Sequence, residues 1–236
     1  MARSVFLFAG PSLHGTPWAG VHEAGATPGC GLSWLPPARR GDIDMLVAQH
    51  AAPGVIGLAD GTFHSYPSVG HRELRQAIQA GWLVFGLCSM GAIRVSELSH
   101  MGMLPWGRVA RMFCTNPELA DDEVALVHSA EAPYLPFSEP MVHLREFLCR
   151  MRARGLLGAQ QEQTLVHSFR ERWYGDRTLP KLAQELAQAL GAPAMAALQS
   201  ELDDFSPYRL KQQDLLSFVA SKPWLYVPEQ AAAGRV

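Results

Sequence analysis

The sequence predicts an α/β protein: an open, mostly parallel sheet of the Rossmann-like or flavodoxin-like kind, followed by a C-terminal helical subdomain. Three observations carry this. Short apolar runs bounded by Gly and Pro recur at residues 5–9, 31–35, 55–59, 82–87 and 124–127. They are apolar on consecutive residues rather than alternating, as in strands buried on both faces of a parallel sheet. Segments with apolar residues at helical spacing lie between them, and from residue 138 onward the strand signal gives way to helices.

Taken in order, the run 5–9 is the first strand. Its apolar stretch is too short for a signal peptide and meets Gly10-Pro11 at once. The run 31–35 is the second. Gly41-Asp42 then opens a helix carrying Ile43, Leu46 and Val47. After the third strand, 55–59, a helix over 71–80 places Leu74, Ala77 and Ile78 on one face, with Gly81 as its stop. The fourth strand, 82–87, runs through Cys88, Ser89 and Gly91 into a helix bearing Ile93, Val95 and Leu98. The run 124–127 completes the strands. Beyond Ser138-Glu139-Pro140, helices are expected over 141–154, 162–173, 179–190, 194–202 and 208–220, with Ser138 capping the first and Pro140 in its first turn. A last strand signal falls at 224–227, and the tail 228–236 reads as frayed. The division expected is an α/β core over 1–137 and a helical subdomain over 138–236.

Composition narrows the function classes. The chain has 236 residues, 48% hydrophobic and 18% charged, with a formal charge of -2, so it is neither disordered nor fibrous and is long enough for a sizeable core. Only Arg39-Arg40 and the stretch 150–154 are locally basic, which argues against a nucleic-acid binder that neutralises many phosphates. The four cysteines, Cys30, Cys88, Cys114 and Cys149, stand singly, without zinc-site pairing or disulfide density. They read as reduced thiols of a soluble, cytoplasmic protein. No window offers the roughly 20 apolar residues that span a bilayer.

In an open α/β sheet, ligands bind beyond the carboxyl ends of the strands. Three such ends carry polar residues: Gly10-Pro11-Ser12, Asp60-Gly61-Thr62-Phe63-His64, and Gly86-Leu87-Cys88-Ser89-Met90-Gly91. The third has the order of a nucleophile elbow, in which a sharp strand-to-helix turn presents a hydroxyl or thiol beside free helix-start amides. Its spacing is divided between two candidates. Ser89 has Gly91 two positions on but Leu87 two before, while Cys88 has Gly86 and Met90. A serine that merely caps the helix is the plainer alternative. The base could be His64, His71, His128 at the end of the fifth apolar run, or Lys211 in a serine–lysine arrangement. Asp60 could orient a histidine or a substrate, or simply organise its turn. Arg39 and Arg40 stand before a helix start where an anion could be held, or form a surface basic pair. The acidic run Asp121-Asp122-Glu123 reads as a solvated loop rather than a cation site, so no metal is assigned. No GxGxxG or P-loop is present.

Pro36-Pro37-Ala38-Arg39-Arg40-Gly41-Asp42, Gly57-Leu58-Ala59-Asp60-Gly61, Phe85-Gly86, the stretch from Ser89-Met90-Gly91-Ala92-Ile93-Arg94 to Glu97-Leu98, Asp121-Asp122-Glu123-Val124-Ala125 with His128, and Ser138-Glu139-Pro140 occur in the order and spacing of the TfuA family. The chain resembles that family over roughly residues 4–145, with a weaker echo at 211–216. The resemblance implies a partner of a YcaO enzyme in ATP-dependent backbone thioamidation of a ribosomal peptide or protein. It further implies that Ser89 attacks the thiocarboxylate of a small sulfur-carrier protein and releases sulfide. The oxyanion would sit at the Met90 and Gly91 amides; the resemblance does not name the base, for which His128 is taken among the matching positions, with Asp60 orienting the base or the carrier tail. Arg94, Arg39 and Glu139 are the accompanying substrate-site candidates, and Arg94 with Glu97 could instead hold the helix in place. Cys88 departs from the small residue the family carries there and stands as an alternative nucleophile. No cofactor is expected on this chain, ATP and Mg belonging to the YcaO partner, and the precursor peptide is expected through the complex. A module that recruits or activates YcaO without catalysis is the alternative.

Overall fold

The computed structural model describes residues 3–22, 31–63, 66–190 and 192–227. The expected base His64, the thiol Cys30 and the tail 228–236 lie outside them. Two compact units emerge, and neither follows from a single cut in the chain. The first comprises 1–119, 131–134 and 211–236, and the second 120–130 and 135–210.

Among the described residues the first unit is built on five parallel strands: β1 (Val5–Phe8), β2 (Leu32–Leu35), β3 (Val55–Leu58), β4 (Leu83–Gly86) and the two-residue β5 (Leu104–Pro105). Their order is β2-β1-β3-β4-β5, the flavodoxin-like arrangement, with register Leu7 to Gly57 to Phe85 across the centre. Every residue of β1, β3 and β4 is buried, as their unbroken apolar runs predict. Helices α1 (Asp42–Gln49), α2 (His71–Gln79), α3 (Met90–Leu98) and α4 (Gly107–Thr115) connect or follow the strands. One sheet face, made by Phe6, Phe8, Ile56, Leu58 and Val84, packs on Ile43 and Leu46 of α1, Leu74 and Ala77 of α2, and Val95 and Leu98 of α3.

The alternate residues point the other way, and what covers them comes from the far end of the chain. Phe218 of α9 (Leu210–Ser221) meets the Phe85 ring at 5.3 Å and lies over Gly57, where a Cβ would stand 3.2 Å from its ring. Asp214 of the same helix accepts hydrogen bonds from the Arg108 and Val109 amides at 2.7 and 2.8 Å, filling the start of α4. Trp106 adds an Nε1 bond to Ser217 Oγ at 3.0 Å. Helix α9 is therefore the second layer of the α/β unit.

The second unit holds α5 (Met141–Ala153), α6 (Ala159–Arg170), α7 (Leu179–Leu190) and α8 (Ala192–Asp203). Its core runs from Met141, Phe147 and Met151 through Phe169, Leu182 and Leu186 to Phe205 and Tyr208. Arg177, fully buried, staples it. Its guanidinium donates to the carbonyls of Phe169, Arg170 and Arg172 at the end of α6, and to Asp122 Oδ2 at 2.6 Å. A cation at a helix C-terminus is favourably placed.

Four expectations change here. The run 124–127 forms no strand; it follows a single 3₁₀ turn at Asp121–Glu123, and only an isolated bridge joins His128 to Pro136. Glu123 is buried against Arg145 at 2.7 Å and Asp122 holds Arg177, so the acidic run is an ion-pairing segment rather than a solvated loop. Ser138 does not cap α5; its hydroxyl accepts from the Val127 amide at 2.9 Å, and Pro140 takes the N-cap position. The segment 224–227 falls on a 3₁₀ turn, Pro223–Leu225, and not a strand.

Candidate functional site

The strand ends of the first unit converge on one buried cluster. β4 leads through Leu87 and Cys88 to Ser89, whose backbone lies at φ 50 and ψ -128, and α3 begins at Met90. Positive φ is uncommon for a residue with a Cβ and is held only where the surroundings impose it. Here they do. Gly91 lies so close to β3 that a Cβ on it would stand 1.8 Å from the Leu58 carbonyl oxygen, and one on Gly86 would stand 2.3 Å from the Gly91 carbonyl oxygen. The two glycines let strand, turn and helix close on one another, and Ser89 takes the strained position at the tip.

Ser89 occupies the N-cap position of α3 but makes no capping bond with its side chain. The amides expected to hold an oxyanion differ. Gly91 N–H is committed to the Ala59 and Cys88 carbonyls at 3.1 and 2.9 Å, which takes it out of that role. Met90 N–H takes part in no backbone hydrogen bond among the described residues, and it is the amide that follows the nucleophile in an elbow. The turn thus has an uncapped hydroxyl beside a donor amide.

Cys88 behaves differently. It is fully buried, and burial together with the neighbouring Asp60 pushes its thiol far above the ordinary range. Its Sγ–H points to Ser12 Oγ at 3.6 Å. Burial and the neighbouring carboxylate favour its protonated form over the nucleophilic thiolate.

Asp60, at the end of β3 and 1% exposed, joins the first two polar strand ends. Its Oδ2 accepts from the Gly10 and Ser12 amides at 2.8 and 2.9 Å, and its Oδ1 from Ser12 Oγ at 2.8 Å. These bonds fasten the β1 loop across the β1/β3 switch point of the sheet, where a flavodoxin-like fold opens its crevice. Lys211, the second residue of α9 and equally buried, places Nζ 3.8 Å from Asp60 Oδ1.

The remaining candidates occupy other positions. Arg94 bonds the Val69 carbonyl at 2.9 Å, Ser68 Oγ at 3.0 Å and Glu97 at 2.8 Å, tying α3 to the loop before α2. His71 meets the same Glu97 at 2.7 Å. Arg39 lies over the Tyr66 ring at 4.1 Å, and its amide bonds Asp42 at 2.7 Å. The amides behind it are occupied: Glu73 accepts from Gly41 and Ile43 at 3.0 and 3.2 Å, so the start of α1 already holds its anion. Glu73 was legible as a residue three positions after Gly70, whose amide it also binds at 2.6 Å. His128 and Glu139 belong to the second unit. His128 Nδ1 lies 2.7 Å from the Ser129 carbonyl oxygen. Glu139 spends both oxygens there, one on His143 at 2.8 Å and the other on Arg209 at 2.9 and 2.6 Å. Among the described residues no three His, Cys, Asp or Glu side chains are grouped to hold a metal ion, and no helix is long and apolar enough to cross a membrane.

A serine at a strained strand-to-helix turn, above a parallel sheet with its polar loops gathered on one edge, marks an α/β protein with an elbow-like turn. Residues 60–178 match the family of TfuA-like proteins, and the chain belongs to that family. Membership associates it with YcaO thioamidation in general. A search of curated proteins finds no match to the chain.

Proposed function

We propose that the protein serves a YcaO partner by hydrolysing the thiocarboxylate of a sulfur-carrier protein, with Ser89 as nucleophile and the released sulfide passed to the thioamidation reaction. The observation that carries this reading is the elbow itself: Ser89 at φ 50, with no capping bond, beside the Met90 amide. Strain of this kind costs about 1–3 kcal/mol and is retained where it serves a site. Ser89 Oγ attacks the acyl carbon, the Met90 N–H receives the developing oxyanion, and hydrosulfide leaves; water then releases the carrier carboxylate and restores the serine. The sum is thiocarboxylate plus water giving carboxylate plus hydrogen sulfide. His128, in the second unit, is assigned no proton transfer here. No cofactor of this chain enters the reaction; ATP and Mg act on the YcaO side, where the precursor peptide is engaged.

The test is sulfide release from a thiocarboxylated carrier by the purified protein. Ser89→Ala is expected to lower release by at least about 100-fold while melting temperature and YcaO association stay unchanged. Release at the wild-type rate by that variant rejects the hydrolase and leaves recruitment or activation of YcaO as the role.

A further inference from the structure

The fold holds the side chain of Arg39 in place without neutralising it. Arg94, Arg145, Arg177 and Arg209 each close on a carboxylate, with Glu97 at 2.8 Å, Glu123 at 2.7 Å, Asp122 at 2.6 Å and Glu139 at 2.6 Å. Arg39 is exposed, and its guanidinium makes no hydrogen bond or ion pair among the described residues, although Asp42 accepts the backbone amide of the same residue at 2.7 Å. Its planar group lies instead over the Tyr66 ring at 4.1 Å, a contact that fixes the direction of the guanidinium and leaves its N–H fork to a ligand. The ring beneath is itself 52% exposed, so the stack covers little surface and adds little to stability.

Main chain ties this position to the elbow. The Ala38 amide donates to the Asp60 carbonyl at 2.9 Å, the Ala38 carbonyl accepts from the Thr62 amide at 3.1 Å, and a Cβ on Gly61, between those two, would stand 2.8 Å from Met90 Cγ. Arg39 therefore follows directly on the residue that pairs with the loop touching the first residue of α3. Its charge also acts on the Tyr134 phenol, whose ring lies against the end of β1: a Cβ on Gly10 would stand 3.1 Å from Tyr134 Cδ2. Tyr134 is held at φ 57, a conformation rare for a bulky side chain. Its short segment, 131–134, belongs to the first unit although the chain on either side belongs to the second. A guanidinium and two tyrosines thus stand at the strand-end edge that carries Ser89, with Arg39 and Tyr66 exposed where Ser89 is 4% exposed.

This difference in depth separates two roles. A cation acting on the reacting acyl group must reach a buried serine, whereas an exposed one is suited to a part of the substrate that stays outside. We propose that Arg39, stacked on Tyr66 beside Tyr134, binds the side-chain carboxylate of an Asp or Glu in the carrier's C-terminal tail, a few residues before the thiocarboxylate that Ser89 attacks; this rests on the reading of Ser89 as the nucleophile. The guanidinium fork takes both oxygens of one carboxylate, and its single positive charge balances a single negative one, which favours a carboxylate over a phosphate dianion. The tail spans the Ala38 and Gly61 contacts between Arg39 and Met90, a distance that extended chain covers in a few residues.

The experiment uses the full chain and short synthetic peptides ending in a thiocarboxylate, either neutral along their length or with one Glu moved from position to position. Sulfide release gives kcat and KM for each, and fluorescence anisotropy of the same sequences ending in an ordinary carboxylate gives binding without chemistry. We expect one Glu position, or two adjacent ones, to raise kcat/KM and affinity about 10-fold over the neutral peptide, through KM rather than kcat and less so at high salt. Arg39→Gln should erase that preference and Arg39→Lys should keep part of it. Arg39→Glu should transfer it to a Lys at the same peptide position, a reversal that a merely structural role would not produce. The proposal is overturned by an equal preference in wild type and Arg39→Gln, or by a wild type that prefers no Glu position. A loss in Arg39→Gln that is the same for neutral and Glu peptides overturns it too, because the guanidinium then acts on the terminal group. Binding that depends on both Glu and Arg39, without any sulfide release, keeps the carboxylate site and rejects the carrier hydrolase.

Discussion

At Ser89 a backbone strain, a missing cap and an uncommitted neighbouring amide coincide, and each depends on the residues packed around the turn. Gly91 is the most demanding of these, because its neighbour is main chain: the Leu58 carbonyl oxygen would lie 1.8 Å from a Cβ. Gly91→Ala is expected to cost about 2 kcal/mol or more, as α3 must shift off β3, and to lower Ser89 reactivity even in the fraction that folds; denaturant unfolding and fluorophosphonate labelling check the two parts. The sequence placed a nucleophile turn here but left two residues in contention, since Cys88 and Ser89 each met half of the spacing. Of the two, the backbone puts Ser89 at positive φ, and both side chains are buried, Cys88 fully and Ser89 at 4% exposed. Alkylation of the native protein should therefore modify the exposed Cys114 and Cys149 readily and Cys88 only on unfolding, as read by peptide mass spectrometry. Rapid native labelling of Cys88 would contradict that placement. The Gly91 amide shows the limit of residue-scale reading: its commitment to Ala59 is a contact between segments 32 positions apart.

Among the elements, α9 does what its position in the chain conceals. Its apolar spacing announces a helix, yet nothing local says that it leaves the helical half and covers the second face of the sheet. Phe218 is the anchor, fully buried against Phe85, Trp106 and Trp224 rings. Phe218→Ala should destabilise the first unit by about 3–5 kcal/mol in denaturant unfolding, and through α9 it should also weaken the hold on Lys211. The strands β1, β3 and β4 were legible because their runs are apolar on every residue, whereas β5 has two residues, too short to show a pattern. The run 124–127 illustrates the converse. Val124 and Ala125 are buried, as an apolar run should be, but they follow a 3₁₀ turn pinned by Arg145 and Arg177 rather than pairing with a strand. Apolar content reports burial, and ion pairs from distant residues decided the conformation.

For the whole molecule, acid should act on the second unit through Glu139. Burial works to raise its carboxyl, but the hydrogen bond and charge of His143 and those of Arg209 prevail and hold it down at about 2. A carboxyl held below its unfolded value of 4.5 contributes stability above that pH, on the order of 3 kcal/mol, and the contribution is lost as pH falls from 4.5 through about 2. Glu139→Gln should flatten the acid limb of the unfolding profile between those values and lower stability at pH 7. An unaltered acid limb would show that Glu139 is not the group responsible. The amino-acid sequence by itself determined the class of fold, the polar ends of its strands, the strand-to-helix turn at residues 86–91 and the family, because these reside in local runs of apolar, glycine and hydroxyl residues. Only the tertiary structure decided which residue stands at the tip of that turn, that α9 is the second layer of the sheet, and that Asp60 and Lys211 meet beside it. Those outcomes depend on contacts between residues as much as 151 positions apart, 60 and 211, where chain-local preference carries no information and packing, charge pairing and backbone hydrogen bonding must be satisfied together.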